Sequence, residues 1–193
     1  MIKKLGLVLL IAFLFVECKS KKIDPLTNGE VESILGVAPK SYTYDKKLTD
    51  EDKKYFADKL DVKVEEITNK KLYIFIKSWE ETTYLYGGED KNGIDCSALM
   101  QRLYKHVYNA NLPRTAADMA FYKKIKLHDP VDELREGDLV FFRNNDEKLF
   151  SHVGVYLAND KFFAASSTDG CSISSLKKPY WKKYYKAFGR LKK

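Results

Sequence analysis

An α+β fold, helical in its first half and an antiparallel sheet in its second, is what the 193-residue sequence predicts. Two observations lead there. From Thr49 to Tyr108 apolar residues return at three- and four-residue spacing, as in amphipathic helices, whereas from Leu139 onward short apolar runs of strand length alternate with turn signals. Helices followed by strands give α+β, where strict alternation would give α/β. A third observation sets one helix on the sheet: after Cys96, residues Leu99, Leu103 and Val107 recur every fourth position, and Met100, Tyr104 and Tyr108 widen the stripe.

In chain order, Met1-Ile2-Lys3-Lys4 and the apolar run Leu5 to Val16 form the basic and hydrophobic parts of a signal peptide over residues 1–17. The run falls short of the ~20 apolar residues of a membrane-spanning helix. It stops at Glu17-Cys18, and the lysines that follow make the leader resemble a bacterial lipoprotein signal, with Cys18 as the lipidated first residue of the mature chain. Such signals usually place a small residue where Glu17 stands and leucine where Phe15 stands, so plain secretion and an uncleaved anchor stay open. Residues 18–47, with Pro25, Asn28-Gly29, Gly36 and Pro39, read as a tether with one helical piece near Glu30 to Leu35.

The domain proper takes residues 48–193 and begins with a helical extension. Thr49 caps a helix with the acidic first turn Asp50-Glu51-Asp52 and the apolar residues Tyr55, Phe56 and Leu60. A second helix from about Lys70 aligns Leu72, Tyr73, Ile76 and Trp79. Past the Cys96 helix, Asn109 to Arg114 is a loop, and Thr115 with Asp118 opens a short helix reaching about Tyr122. Gly137-Asp138 turns into a strand at Leu139 to Phe142, and Asn144 to Glu147 makes the next turn. Ser151 to Leu157, Lys161 to Ser167 and Cys171 to Leu176 follow as a meander, joined by Asn159-Asp160 and Thr168-Asp169-Gly170, and Gly189 to Leu191 ends as a short strand.

A hydrophobic content of 45% with 13% aromatics supports a packed core and excludes a disordered chain. The formal net charge is +7, concentrated after Lys177. There Tyr180, Trp181, Tyr184, Tyr185 and Phe188 interleave with the lysines, which marks a packed segment with a solvated basic face; no nucleic-acid partner is expected. The three cysteines, Cys18, Cys96 and Cys171, lack any C-x-x-C spacing, so neither a disulfide framework nor a metal site is expected, and no cofactor. Cys171, between Gly170 and Ser172, reads as a small packing residue.

Chemistry gathers around Tyr84 to Ser97, a loop punctuated by Gly87, Gly88 and Gly93 and closed by Asp95-Cys96-Ser97. Asp95 falls at the N-cap, which puts Cys96 in the first helical turn, where the helix dipole favours thiolate. On this stretch alone a nucleophile and a buried structural cysteine are equally good readings. His106, on the helix, and His128, read as a loop residue, are surface positions in this reading. His152 differs, because it begins a strand directly after a loop and Gly154 leaves room beside it. A helix-start cysteine with a strand-start histidine is how an acyl-transfer thiol is activated: imidazole takes the thiol proton and later delivers it to the leaving amine.

Gly93-Ile94-Asp95-Cys96-Ser97, preceded by Tyr84 and Gly87-Gly88, resembles the nucleophile motif of the NlpC-type cell-wall cysteine peptidases. Leu112-Pro113-Arg114-Thr115, Gly137 to Phe142 and His152-Val153-Gly154-Val155-Tyr156 resemble the family's later motifs in the right order, and Tyr180-Trp181 resembles its lipoprotein members. The resemblance implies a papain-like domain that hydrolyses peptide bonds in peptidoglycan stem peptides, anchored by lipid to a membrane of the cell envelope and facing the periplasm. It implies Cys96 as nucleophile, His152 as general base and acid, and Tyr84, Asp95 and Ser97 on the substrate-binding side. One position departs: where the family usually supplies a polar residue to orient the histidine, this chain has Ala164, and Ser166 on the same strand face is the candidate substitute. A wall-binding protein without turnover, and a related thiol amidase or acyltransferase, are the rival readings.

Overall fold

The computed structural model of the chain describes residues 47–129, 133–143 and 149–192. The leader, Cys18, nearly all of the tether and the turn expected at Asn144 to Glu147 lie outside the described residues. All described residues belong to one compact unit, residues 43–193.

Helix α1 (Asp50–Leu60) starts where expected because Thr49 and Asp52 satisfy each other's backbone amides reciprocally. It buries Phe56, Ala57 and Leu60. A 3-10 turn at Val64–Glu66 leads to α2 (Lys70–Trp79), capped by Asn69 and burying Leu72, Tyr73, Phe75, Ile76 and Trp79. Within the glycine-punctuated loop, β1 (Glu89–Asp90) and β2 (Gly93–Ile94) form a small hairpin. Helix α3 (Cys96–Tyr108) follows, and then the short α4 (Ala116–Ala120), capped by Thr115.

Six antiparallel strands make the sheet: β3 (Ile125–His128), β4 (Leu139–Phe142), β5 (His152–Tyr156), β6 (Lys161–Ser166), β7 (Gly170–Ser175) and β8 (Tyr185–Leu191), in the order β3-β8-β4-β5-β6-β7. The meander from β4 to β7 is as expected. The final strand is longer than the sequence suggested, and it inserts between β4 and an unforeseen strand, β3. His128 therefore sits in a strand, its ring stacked on Phe188, where a loop was expected. His106 is likewise half-buried, against Phe75.

Both faces of the sheet are covered, which explains the unbroken apolar run Leu139 to Phe142. Val140, Phe142, Phe162, Ala164 and Phe188 form one core with Leu176 and with Trp181 of helix α5 (Pro179–Tyr184). Alternation turns Val153, Val155, Phe163 and Ala165 to the other face, where α3 packs on β5 and β6. Helix α3 thus lies on the sheet, as the sequence implied.

Candidate active site

The site is assembled where the first turn of α3 meets the start of β5. Asp95 holds extended backbone angles (φ −90°, ψ 169°), and its carboxylate accepts the amide of Ala98 at 2.8 Å, which fixes where the helix begins. The same carboxylate accepts from the Ser97 hydroxyl at 2.9 Å and from the Gly87 amide at 3.1 Å, tying the loop back onto the helix. Gly87 has φ +74°, a left-handed conformation that suits glycine, and this is what lets its N–H turn toward Asp95.

Sequence reasoning gave Arg114 no role, yet it organises this corner. Its guanidinium donates to both Asp95 oxygens, at 3.0 and 2.6 Å, to the Ser97 hydroxyl at 2.8 Å and to Glu89 at 3.2 Å. Burial acts to raise the Asp95 carboxyl, but Arg114, the Ala98 amide and the Ser97 hydroxyl together hold it below its usual range. The signal available in the sequence was indirect: a carboxylate committed to a buried cap needs a cation, and Arg114 precedes the cap of the next helix.

Cys96 is 7% exposed. Its thiol is pushed up to about 11, first by burial, while the backbone of Val153 and the amides of Ser97 and Cys96 act in the opposite direction. The expectation of a thiol acidified by the helix dipole is therefore corrected: in the resting site desolvation outweighs the helix terminus. The Val153 contact joins Cys96 to β5 one residue from His152. His152 is buried, and burial takes its imidazole down to about 4. Burial therefore favours the neutral form of both the thiol and the imidazole. His152 Nε2 has no hydrogen-bond partner among the described residues.

Two cavities meet at this point. One, of about 570 Å³, is lined by Tyr84, Asp95, Cys96, Ser97 and Arg114, so the expected substrate-side residues do converge on the cysteine. The other, of about 400 Å³, is lined by His152, Ser166 and Trp181. Tyr84 and Ser151 belong to both, making one bilobed groove. Burial, followed by Cys96 and Asp95, raises the Tyr84 hydroxyl, which keeps it protonated and able to donate. Ser166 faces the second lobe, but its hydroxyl accepts the Asp169 amide at 3.2 Å and lies 3.4 Å from Thr168 Oγ1. An orienting bond to His152 would require it to leave those partners. Ala164 is in the core beside Gly154, where a Cβ on the glycine would stand 3.0 Å from the alanine methyl.

A model of the NlpC/P60 family matches residues 81–190, which contain every residue of this groove. The chain belongs to the NlpC/P60 family. Among curated NlpC/P60 relatives, the chain is 42% identical over 118 residues to the probable endopeptidase NlpC homolog of Haemophilus influenzae, covering 61% of this chain and 60% of that protein. It is 39% identical over 109 residues to the murein DD-endopeptidase MepS/murein LD-carboxypeptidase of Escherichia coli, covering 55% and 54%. The chain thus spans little more than half the length of these relatives. In three dimensions it resembles the crystal structure of a protein similar to lipoprotein, NLP/P60 family, from Staphylococcus aureus, at a TM-score of 0.56 and 22% identity, over 85% of this chain and 48% of that one. That likeness bears on the NlpC/P60 fold alone. Cys171, outside the groove, is buried and bonds through its backbone to Thr82 and Glu81.

Proposed function

We propose that the chain is a cysteine endopeptidase that cleaves peptide bonds in peptidoglycan stem peptides, with Cys96 as nucleophile and His152 as general base and acid. The observation that carries this is the placement of Cys96 at a helix N-terminus, in contact with the strand residue next to His152 and opening on a groove. The names of the relatives, endopeptidases of murein among them, support the substrate class.

The chemistry follows from the geometry. Substrate entering the groove displaces water and brings a peptide carbonyl over Sγ of Cys96. His152 takes the thiol proton as the thiolate attacks. Charge then develops on the carbonyl oxygen, and the Cys96 and Ser97 amides, left without intrahelical partners in the first turn of α3, are placed to meet it, with the Tyr84 hydroxyl as a further donor. His152 next protonates the leaving amine, and water activated by the same imidazole releases the acyl group from Cys96. Asp95 and Ser97, locked by Arg114, form a polar wall for the substrate's amine-bearing end.

The setting we infer is the cell envelope, with attachment to a membrane through lipid on Cys18 and the domain facing the periplasm. No helix among the described residues is long and apolar enough to cross a membrane. Incubating the protein with purified muropeptides and identifying products by mass spectrometry tests the reading. New stem-peptide fragments are expected from the native protein and none from Cys96→Ala. No product from the native protein, or equal product from the variant, overturns it. A second reading, a wall-binding domain without turnover, is favoured by Ala164, whose methyl cannot hold an imidazole tautomer; it predicts retention of intact sacculi with no fragments.

A further inference from the structure

His152 is poor in polar neighbours but rich in aromatic ones. Its ring lies against Trp181, with centroids 5.1 Å apart and planes 24° from parallel, and tilts against Phe142 at 5.6 Å. Trp181 is itself immobilised: Phe142 stands 4.8 Å away, Phe162 meets it edge-on at 5.2 Å, and Tyr180 meets it edge-on at 4.9 Å. Pro179 starts the helix that carries it. The indole is 8% exposed, and it lines the same cavity as His152.

We infer that Trp181 is the positioning residue for His152, its indole face both fixing the plane of the imidazole and stabilising the imidazolium formed when Cys96 gives up its proton. The inference rests on the Cys96–His152 chemistry proposed above. The step moves one proton from Sγ to the imidazole and changes no oxidation state. Its difficulty is that a cation must form on a buried ring, while β6 has Ala164 in its core and a Ser166 hydroxyl already bonded to Asp169 and Thr168. The face of an indole is electron-rich, and a cation over it gains most where water is excluded. Other groups around His152 do not supply that charge. Phe142 comes from β4, Tyr84 from the loop is neutral, and Cys96 from α3 is the proton donor itself. Asp169 and Lys178, from the turn after β6 and the approach to α5, are exposed and opposite in sign.

The stacking also restricts rotation of the ring. A flat wall of fixed aromatic atoms permits the imidazole to slide but not to turn across it, which holds the ring near its 24° tilt to the indole. In this role a polar third residue and an indole are alternative devices, one acting on the ring edge and the other on its face.

The test uses the full chain with its tryptophans replaced biosynthetically by fluorinated analogues, which drain charge from the indole face at nearly constant size. Alkylation of Cys96 by iodoacetamide is followed across pH by peptide-resolved mass spectrometry, which separates it from Cys18 and Cys171. The expected result is a stepwise rise of the alkylation midpoint with each added fluorine and a rate at neutral pH lower by about tenfold at full substitution, the scale of a desolvated cation–π contact. The label also enters Trp79, so the labelled Trp181→Phe variant is the control, and its profile should not respond to fluorination. Trp181→Leu should slow alkylation further than Trp181→Phe. A midpoint that depends on His152, through His152→Ala, but ignores fluorination overturns the role of Trp181 and leaves the catalytic pair standing. A midpoint indifferent to His152 as well overturns the pair.

Discussion

Replacing Arg114 by glutamine removes the guanidinium that brackets Asp95, and the size of the effect can be worked from the contacts. Asp95 loses two charge-assisted bonds, at 3.0 and 2.6 Å, while keeping those from Ala98, Ser97 and Gly87. Its side chain is 9% exposed, against 37% for that of Arg114. Stranding one member of a fully buried pair costs about 3–5 kcal/mol, but water reaches this pair from the arginine side, so about 2 kcal/mol is expected. For a domain of this size that corresponds to a melting temperature lower by about 4–8 °C. The pH dependence has a definite sign. Asp95 titrates below its ordinary value of 3.8 when folded, so the stabilisation is whole above that value and is lost as pH falls through the lower, folded one. Urea unfolding of the native and Arg114→Gln proteins at a series of pH values should therefore show a gap that is constant near neutrality and closes in acid. No gap at neutral pH, or a gap that persists undiminished into acid, would refute the reasoning.

Tyr84→Phe removes a hydroxyl lining the Cys96 lobe and should lower kcat on muropeptides about a hundredfold to a thousandfold with little change in KM, as loss of an oxyanion donor does. Gly154→Ala should cost about 2 kcal/mol by calorimetry, because the new methyl would meet the Phe163 carbonyl at 2.8 Å and the Ala164 methyl at 3.0 Å. Arg190→Ala strands Asp138, a 2%-exposed carboxylate bonded by that guanidinium at 2.8 and 2.7 Å, and should cost about 3 kcal/mol, with faster amide exchange in β8 and β4. Ser166→Ala should loosen the turn after β6 by about 1 kcal/mol yet leave kcat within about twofold, since its hydroxyl serves Asp169 and Thr168.

What could be read from the sequence was local. Asp95 as cap and Thr49 as cap before an acidic first turn each specify a helix start, the four-residue period after Cys96 specifies the helix face, and the structure has all three. Strands β4 to β7 were legible because each joins the next through a turn of recognisable chemistry. Strand β3 was not, since Ile125-Lys126-Leu127-His128 is a short edge segment whose sheet partner among the described residues, β8, is about sixty residues away. Strand β8 was half hidden because Lys186, Gly189 and Arg190 interrupt its apolar pattern, and Asp138 rewards Arg190 only once the sheet exists. Arg114 and Trp181 escaped for the same reason: each acts on a group distant in sequence, Asp95 and His152 respectively. The acidic thiol was a different kind of miss. A helix terminus is visible in sequence, whereas the dehydration that overrides it depends on what packs around Cys96.

The position of Trp181 has a consequence for how the protein comes into being. Cys96 is made early in synthesis and the aromatic wall behind His152 late, with β8 later still and inserted between β3 and β4. A chain under synthesis therefore carries Cys96 for many residues before it owns a folded sheet to place beside it. The groove takes its lining from Tyr84 through Trp181, so it is complete only once nearly the whole domain has been made.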